Sequence, residues 1–422
     1  MQPPAEFNDK PPCCCPSEKR IVLVGASVRA AAQSAARAGF CVTGIDLFGD
    51  TDTQEACHRL FLVKQEDDVQ RIVQACSGVG VMRVGGLSSH DVLIRRLAQA
   101  SPTLGASELA WDQLRDPQCL HEIAANAEMR FPPTSDRSAA LIGGTDDSDG
   151  RWLLKQRHSC GGLGVRWHSD HTCVGDGEFL QKWIPGRSYG ATLLSDANQV
   201  RLLGVCRSLF TRHHHRPFVY AGSMGPIQLA PAVSRSLTRL GEQVAATTKL
   251  RGLLNVDFVL DRSGIAWLLE INPRWSGSSE LIERRLVDQG RISRQQSLLA
   301  FAVHALGCRA SLPDLGQPMR QQQTSSDRGA TYLKRILFAR TKIRFDRSRF
   351  ESLIGHNESL HDIPQNGTVI GRGDPVFTLI TATDHNEVDP VASHRVLLRK
   401  IHAAIHRCRL ENHSSPRSSA YE

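Results

Sequence analysis

Two acids carry the most chemical information in this sequence: Asp257, in Asn255-Val-Asp-Phe-Val-Leu260, and Glu270, in Trp267-Leu-Leu-Glu-Ile-Asn-Pro-Arg274. Each stands at an alternating strand position beside apolar neighbours, and the intervening Asp261-Arg-Ser-Gly264 has the composition of a tight turn. The two strands are therefore expected to form a hairpin that sets the carboxylates side by side. Facing carboxylates inside a protein repel unless a cation lies between them. Asn272, two residues beyond Glu270, points to the same face and adds a neutral oxygen. Such a set suits Mg²⁺ when phosphate oxygens complete its octahedron. Exposed hairpin acids with no catalytic role are common, so the pair does not decide the matter alone.

Lys155 ends an apolar strand and is followed by Arg157-His-Ser-Cys-Gly-Gly-Leu-Gly-Val165. A point charge ahead of Ser159, Gly161, Gly162 and Gly164 suits phosphate, because the glycines let backbone N–H groups close over it. No GK[ST] ends the run, so it is not a Walker loop. Gln181-Lys-Trp-Ile-Pro-Gly-Arg-Ser188 reads as a strand broken at Pro185-Gly186. Backbone groups at such an edge can read adenine while apolar neighbours sandwich the ring. The stretch Phe210–Gly225, with Arg207, Arg212 and Arg216, reads as an active-site loop that recognises an anionic substrate. Within it, His213-His-His215 is expected to be solvated, since adjacent residues in a loop do not converge on one ion. Cys160 lacks both a base and an orienting acid, so it is not expected to be a nucleophile.

Elements must hold these residues in place. Ile21–Val24, Val28–Ala38 and Cys41–Ile45 read as strand, helix and strand, closed by Asp46, in one βαβ unit. Gly25-Ala-Ser-Val-Arg-Ala30 lacks two glycines of GxGxxG, which argues against a nicotinamide site. Val79–Val84 with Gly85-Gly86 reads as a further strand and loop, and Ser107–Asn126 has helical periodicity. Short strands then dominate from Trp152 to Ile271, interrupted by a helix from Ser234 to Thr248, which indicates α+β architecture. Gln317–Arg328 reads as a linker. Beyond it, Thr331–Ile336, Thr368–Ile370 and Pro375–Ile380 suggest a small β-rich end domain.

The 422 residues are enough for two to four domains, and 41% hydrophobic with 22% charged residues is ordinary for a globular chain. The net charge of +8 is scattered among acids, and aromatic residues make up only 6%, so nucleic acid is not an expected partner. No apolar run is long enough to span a membrane. The twelve cysteines include no CxxC pair, and Cys13-Cys-Cys15 reads as part of a solvated Pro-rich tail. Without a signal-peptide pattern, the expected location is the cytoplasm.

The order of lysine strand, glycine loop, QKWIPG hinge, NVDF and LLEINPR resembles the ATP-grasp superfamily from about Ser107 to Leu286, and Ile21–Thr103 resembles the domain that precedes it there. The closer likeness is to the predicted ATP-dependent carboligases related to biotin carboxylase. It is carried by Gly25–Ala30, Asp46-Leu-Phe-Gly-Asp50, Tyr220-Ala-Gly-Ser-Met-Gly-Pro226, Asp362-Ile-Pro-Gln-Asn-Gly367 and Gly373-Asp-Pro-Val-Phe377. The resemblance implies mixed α/β and α+β architecture. A disordered leader at 1–20 would precede a Rossmann-like pre-ATP-grasp domain at 21–105 and a two-part ATP-grasp domain at 106–310, with its lid at about 106–180. A linker at 311–330, a small β-rich C-terminal domain at 331–408 and a tail at 409–422 would follow. It also implies ATP and Mg²⁺, or Mn²⁺, as cofactors. Lys155 would contact phosphates under the glycine loop, with Gln181, Lys182 and Ile184 along adenine, Gln181 and Ile184 through their backbones. Asp257, Glu270 and Asn272 would hold the metal, and Arg274 would sit over the transferring phosphate. The implied activity is ligation of a carboxylate, activated as an acyl phosphate, to an amine or other nucleophile, by a protein acting alone or as a homodimer. A small-molecule kinase and a non-catalytic nucleotide-binding regulator are the alternatives. Two departures stand out: Asp116 is followed by Pro117 where members often carry a lysine, leaving Arg115 to supply that charge, and no lysine of the biotinyl-acceptor kind is present.

Overall fold

The computed structural model describes residues 6–7, 16–63, 68–86, 91–136, 151–169, 173–196, 199–307, 331–351, 353, 358–383 and 395–409. The first layer is a sheet of β1 (Glu6–Phe7), β2 (Arg20–Val24), β3 (Cys41–Asp46), β4 (Arg59–Leu62) and β5 (Val81–Arg83), in the order β1-β4-β3-β2-β5. β2 to β5 are parallel, and β1 pairs antiparallel at the edge. Continuous apolar runs such as Ile21-Val-Leu-Val24 favour this, because both faces of a parallel sheet are covered. The alanines of α1 (Arg29–Arg37) let the helix lie close: Ala31, Ala32 and Ala35 are buried. Asp46 explains the acid that closes the βαβ unit. Its Oδ2 accepts the Val28 N–H at 2.8 Å and its Oδ1 those of Phe48 and Gly49, so it ties the helix entry to the end of β3. Helices α2 (Thr51–Ala56), α3 (Asp68–Cys76) and α4 (Asp91–Ala100) complete this part.

Ser107–Asn126, expected as one helix, is two: α5 (Glu108–Gln113) and α6 (Pro117–Asn126). Pro117 cannot continue a helix from its N-terminal side but suits a first turn. Ser107 and Asp116 each cap a helix, accepting the N–H groups of Ala110 and Gln118.

Two antiparallel sheets follow. The smaller contains β6 (Thr134–Ser135), β7 (Trp152–Gln156), β8 (Val165–Trp167) and β9 (Glu178–Lys182), in the order β6-β9-β7-β8. The larger has eight strands. From the middle of the chain come β10 (Gly186–Ser195), β11 (Val200–His213), β12 (Arg216–Ile227), β13 (Gly252–Asp261) and β14 (Ala266–Asn272). They are joined by β15 (Thr331–Phe338), β17 (Glu358–His361) and β19 (Pro375–Thr383), in the order β14-β13-β10-β11-β12-β15-β19-β17. The C-terminal strands thus form as expected but extend the central sheet through the β12–β15 pairing, Gly222 opposite Arg335 to Gly225 opposite Tyr332. A short ladder of β16 (Ile343–Arg344) and β18 (Val369–Ile370), with α10 (Ser348–Glu351) and α11 (Arg395–Arg407), encloses a further core around Phe345, Phe350, Phe377 and Ile401.

Phe210–Gly225, expected as a loop, is instead most of the β11–β12 hairpin, with its turn at His214-His215 and His214 at φ +52. Arg207, His213 and Arg216 lie on half-exposed strand positions and Arg212 on an exposed one, where polar composition hid the β pattern. The larger sheet is packed by α7 (Pro231–Thr248), with α5 and α6, in one apolar cluster, and by α8 (Ser279–Asp288) and α9 (Leu298–Gly307), with α1, in another. The sequences 317–328, Cys13–Cys15 and 412–422 lie outside the described residues. Among the described residues no helix is long and apolar enough to cross a membrane.

Candidate active site

The β13–β14 hairpin forms around its turn, where Asp261 N–H donates to Ile265 O at 3.1 Å and Asp261 accepts from Ser263, Ile265 and the Trp267 indole. Its register sets Asp257 opposite Glu270 and Asn255 opposite Asn272, with a bulge after Asp257. The sequence expectation of neighbouring carboxylates is met. Asn272 Nδ2 donates to Asp257 Oδ2 at 3.0 Å and to Glu270 Oε1 at 2.9 Å. Asn255 Nδ2 donates to Asp257 Oδ1 at 2.9 Å and is itself anchored by Ser276. Arg274 Nη2 donates to Asn272 Oδ1 at 3.0 Å, and Nη1 to the Trp275 carbonyl. In this arrangement the Asn272 oxygen faces Arg274 rather than the acids, so its use as a cation ligand requires the amide to turn over.

Burial, and then the Glu270 charge, push the Asp257 carboxyl well above its ordinary range. Burial works the same way on Glu270, but Lys155 and the hydrogen bonds from Asp257 and Asn272 outweigh it and hold that carboxyl down. The two carboxyls thus titrate as a pair, with Asp257 the harder of the two to ionise. Lys155, at the end of β7, donates from Nζ to Gln181 Oε1 at 3.2 Å, and burial lowers its pKa against the pull of Glu270 and Asp257. Gln181 Nε2 is buried with no hydrogen-bond partner among the described residues. Among the described residues, no group of three or more His, Cys, Asp and Glu side chains is arranged to hold a metal ion.

Gln181 enters the site through its side chain, because its backbone lies inside the smaller sheet between Leu153 and Thr134. Lys182 N–H donates to Pro133 O and Trp183 N–H to Arg151 O. Ile184 follows the strand, and its N–H has no backbone partner among the described residues.

The glycine loop is the β7–β8 turn, and it rests on β12. Gly161 O accepts the Tyr220 N–H at 2.9 Å, and Trp167 meets Phe218 edge-on at 5.7 Å. Gly162 has φ +75, and a Cβ there would stand 1.8 Å from the Phe218 carbonyl oxygen. Cys160 packs so closely on Gly86 that a Cβ on that glycine would meet the sulfur. Lys155, Ser159, Glu270, Asn272, Arg274 and Arg115 line one cleft, with a cavity of about 100 Å³. Pockets for drug-sized ligands run from roughly 300 Å³, so a ligand of that size fits here only if the loop lifts. Gly162→Val is expected to dislodge the loop, by positive-φ strain and collision with β12. Its signature would be a roughly tenfold higher KM for ATP, with faster proteolysis between Arg157 and Gly164 in nucleotide-free protein. Unchanged proteolysis would refute the docked loop.

Composition and spacing did not reveal a buried ion network beside this cleft. The Arg29 guanidinium, 1% exposed, pairs with Glu280 (Nη2 to Oε2 3.0 Å) and with Asp362 (Nε to Oδ1 3.1 Å), and Lys334 reaches Glu280 at 2.9 Å. Burial alone would raise both carboxyls, but Arg29 and Lys334 hold them well below the usual range. Carboxyls held low stabilise the fold above the ordinary carboxylate pKa, and that contribution fades as pH falls through the depressed values. Arg29→Met is expected to cost about 3–5 kcal/mol at pH 7, with a smaller loss at pH 3, measured by urea unfolding. An equal loss at both pH values would contradict this role. Arg115, the residue left to supply the charge of the missing lysine, lines the cleft, and its Nη1 lies 3.0 Å from His158 Nδ1.

Residues 119–278 match the model of the ATP-grasp domain family. An uncharacterized protein of Methanocaldococcus jannaschii is 24% identical over 205 residues, 47% of this chain and 41% of that protein. The chain thus spans about two fifths of the length of this curated relative. Among solved structures, N5-carboxyaminoimidazole synthase from Aspergillus clavatus, in complex with ADP and 5-aminoimidazole ribonucleotide, is similar at TM-score 0.63 and 13% identity. That match covers 92% of this chain and 99% of the other. An L-amino acid ligase from Bacillus licheniformis matches at TM-score 0.62 and 14% identity, over 90% and 97%. The biotin carboxylase domain of Hydrogenobacter thermophilus 2-oxoglutarate carboxylase, with MgADP and bicarbonate, matches at TM-score 0.60 and 14% identity, over 86% of each chain. At such identities the likeness is one of fold.

Proposed function

The chain carries an ATP-grasp domain at residues 119–278, and from that premise we propose that it is an ATP- and Mg²⁺-dependent ligase joining a carboxylate, activated as an acyl phosphate, to an amine. The observation that carries this reading is the convergence of Lys155, Glu270, Asn272 and Arg274 on one cleft under a glycine loop, with Asp257 in register with Glu270 and bonded to Asn272. The similar structures include an L-amino acid ligase and enzymes captured with ADP, which supports the same reading.

The donor set fits a divalent cation: it is all oxygen, two carboxylates stand in register, and Asp257 is a carboxyl that a cation would let ionise. Asp257 and Glu270, with Asn272 once its amide turns, would hold Mg²⁺, or Mn²⁺ in its place. When bound, the ion neutralises charge on the β- and γ-phosphates. Lys155, positioned by Gln181, meets the phosphates as a point charge, while Ser159, Gly161, Gly162 and Gly164 close over them. Gln181, Lys182 and Ile184 border the adenine, with Ile184 N–H free to donate to it. Attack by the substrate carboxylate on the γ-phosphorus breaks the bond to ADP and gives an acyl phosphate, whose charge Arg274 stabilises. The amine then attacks the acyl carbon, phosphate leaves, and the amine gives up a proton.

In this reading residues 106–310 form the grasp unit, with the smaller sheet belonging to its lid, 21–105 is the preceding domain and 331–408 the C-terminal domain. Purified protein with Mg²⁺ and ATP, screened against pools of carboxylates with and without amines, should release ADP and phosphate in step with a conjugated product. ATP hydrolysis that no carboxylate stimulates would contradict the reading.

A further inference from the structure

The segment Leu47–Asp50 leaves the C-terminal end of β3, at the sheet edge where open α/β sheets hold ligands. Val24 and Gly85 of that same edge line the Glu270 cleft. Most acids gathered here have their partners. Asp46 accepts three backbone N–H groups. Asp52 accepts those of Asp362 and Ile363, and Asp362 takes Ser27 and Arg29. Asp50 differs: it is 7% exposed, and although its backbone carbonyl accepts the Thr53 and Gln54 N–H groups at the start of α2, its carboxylate accepts no hydrogen bond from any described residue.

The charged groups around Asp50 are Arg29 of α1, Asp46 of β3, Asp52 of α2 and Asp362 beyond β17, with Glu280, Arg284, Lys334 and His361 behind them. Arg29 is committed to Glu280 and Asp362, and Lys334 to Glu280. Three acids thus act on Asp50, and among the described residues no basic side chain forms an ion pair with it. One free carboxylate offers too few oxygens for a divalent ion but is enough for an organic cation.

We infer that Asp50 receives the cationic group, an ammonium or guanidinium, of the substrate that supplies the nucleophile, an inference that rests on the ligase reading. Burial, and then the charges of Asp362, Asp46 and Asp52, push the Asp50 carboxyl up to about 8, so at pH 7 it is mostly protonated and cation binding expels a proton.

The test is calorimetry on the full chain with MgADP at pH 7, in two buffers of different ionisation enthalpy. The probes are the amino acids, 1,4-diaminobutane, methylammonium and guanidinium, with MgCl₂ alone as a separate arm. At least one organic cation should bind with release of most of a proton, and Asp50→Asn should weaken it tenfold or more and abolish the release. No binding from the whole panel, equal affinity in Asp50→Asn, or proton release by MgCl₂ that depends on Asp50 would each overturn the assignment. Asp50→Asn should also melt higher than wild type at pH 8, with the gap closing toward pH 5, because a raised carboxyl pKa costs stability as pH rises. An equal gap at both pH values would likewise count against it. MgADP binding and carboxylate-dependent hydroxamate formation need no amine, so their failure would sink the ligase reading, and their success beside a null amine titration would sink this inference alone.

Discussion

Glu270→Gln is expected to lower Mg²⁺-dependent ATP turnover by several orders of magnitude while leaving the fold intact. The side chain lies in a strand pair whose register is set by ladder bonds and by the Asp261 turn, neither of which uses the carboxylate. Glutamine keeps the shape and can still face Asn272, so packing is preserved. What is lost is one of the two carboxylates proposed to hold the cation, together with the neighbouring charge that pushes the Asp257 carboxyl up. Two measurements separate chemistry from structure. ADP release should collapse, and the rise in melting temperature that MgCl₂ and ADP confer on wild type should shrink, while the melting temperature without them stays within a few degrees. Unchanged ADP release would sink the metal assignment, and a large fall in the bare melting temperature would mean that Glu270 serves the fold.

The hairpin under this prediction was legible in the sequence because its determinants are local: alternation, a turn composition, and two acids whose register the turn dictates. The same holds for the βαβ start and for the glycine loop. Other features were not, and for physical reasons. The orientation of the Asn272 amide depends on Arg274 competing for its oxygen, which no spacing encodes. Gln181 was read for its backbone, yet that backbone is consumed by strand neighbours on both sides, and the side chain does the positioning. Gly162 was read as clearing space for phosphate, whereas in this structure the atom it must clear is the Phe218 carbonyl of its own chain. The Arg29–Asp362 pair joins residues 333 positions apart, so only tertiary folding brings them together. Its signal was nonetheless present: both residues fall in segments that carried the family resemblance, one basic and one acidic.

Arg274→Lys is the second large expected effect, and it separates a ligase from a kinase. The guanidinium already uses its fork in two directions, holding the Asn272 oxygen through Nη2 and the Trp275 carbonyl through Nη1, and it lines the cleft with Lys155 and Glu270. From that position a planar, five-donor group can face the γ-phosphate and the attacking carboxylate together, whereas an ammonium contacts only one. An acyl phosphate is short-lived in water, so an enzyme that makes one gains from an enclosed cleft and from a second substrate that captures it. With the carboxylate substrate present and no amine, wild type should release ADP slowly, yield a hydroxamate when hydroxylamine is added, and move oxygen-18 from carboxylate to phosphate. In Arg274→Lys all three signals should fall together, by about 10²–10³-fold if the loss resembles removal of one donor to a developing oxyanion. The variant should still bind MgADP, because Lys155 and the carboxylate pair remain. A stable phosphorylated product with no hydroxamate, in the presence of a substrate that supports turnover, would identify a kinase and overturn the ligase reading.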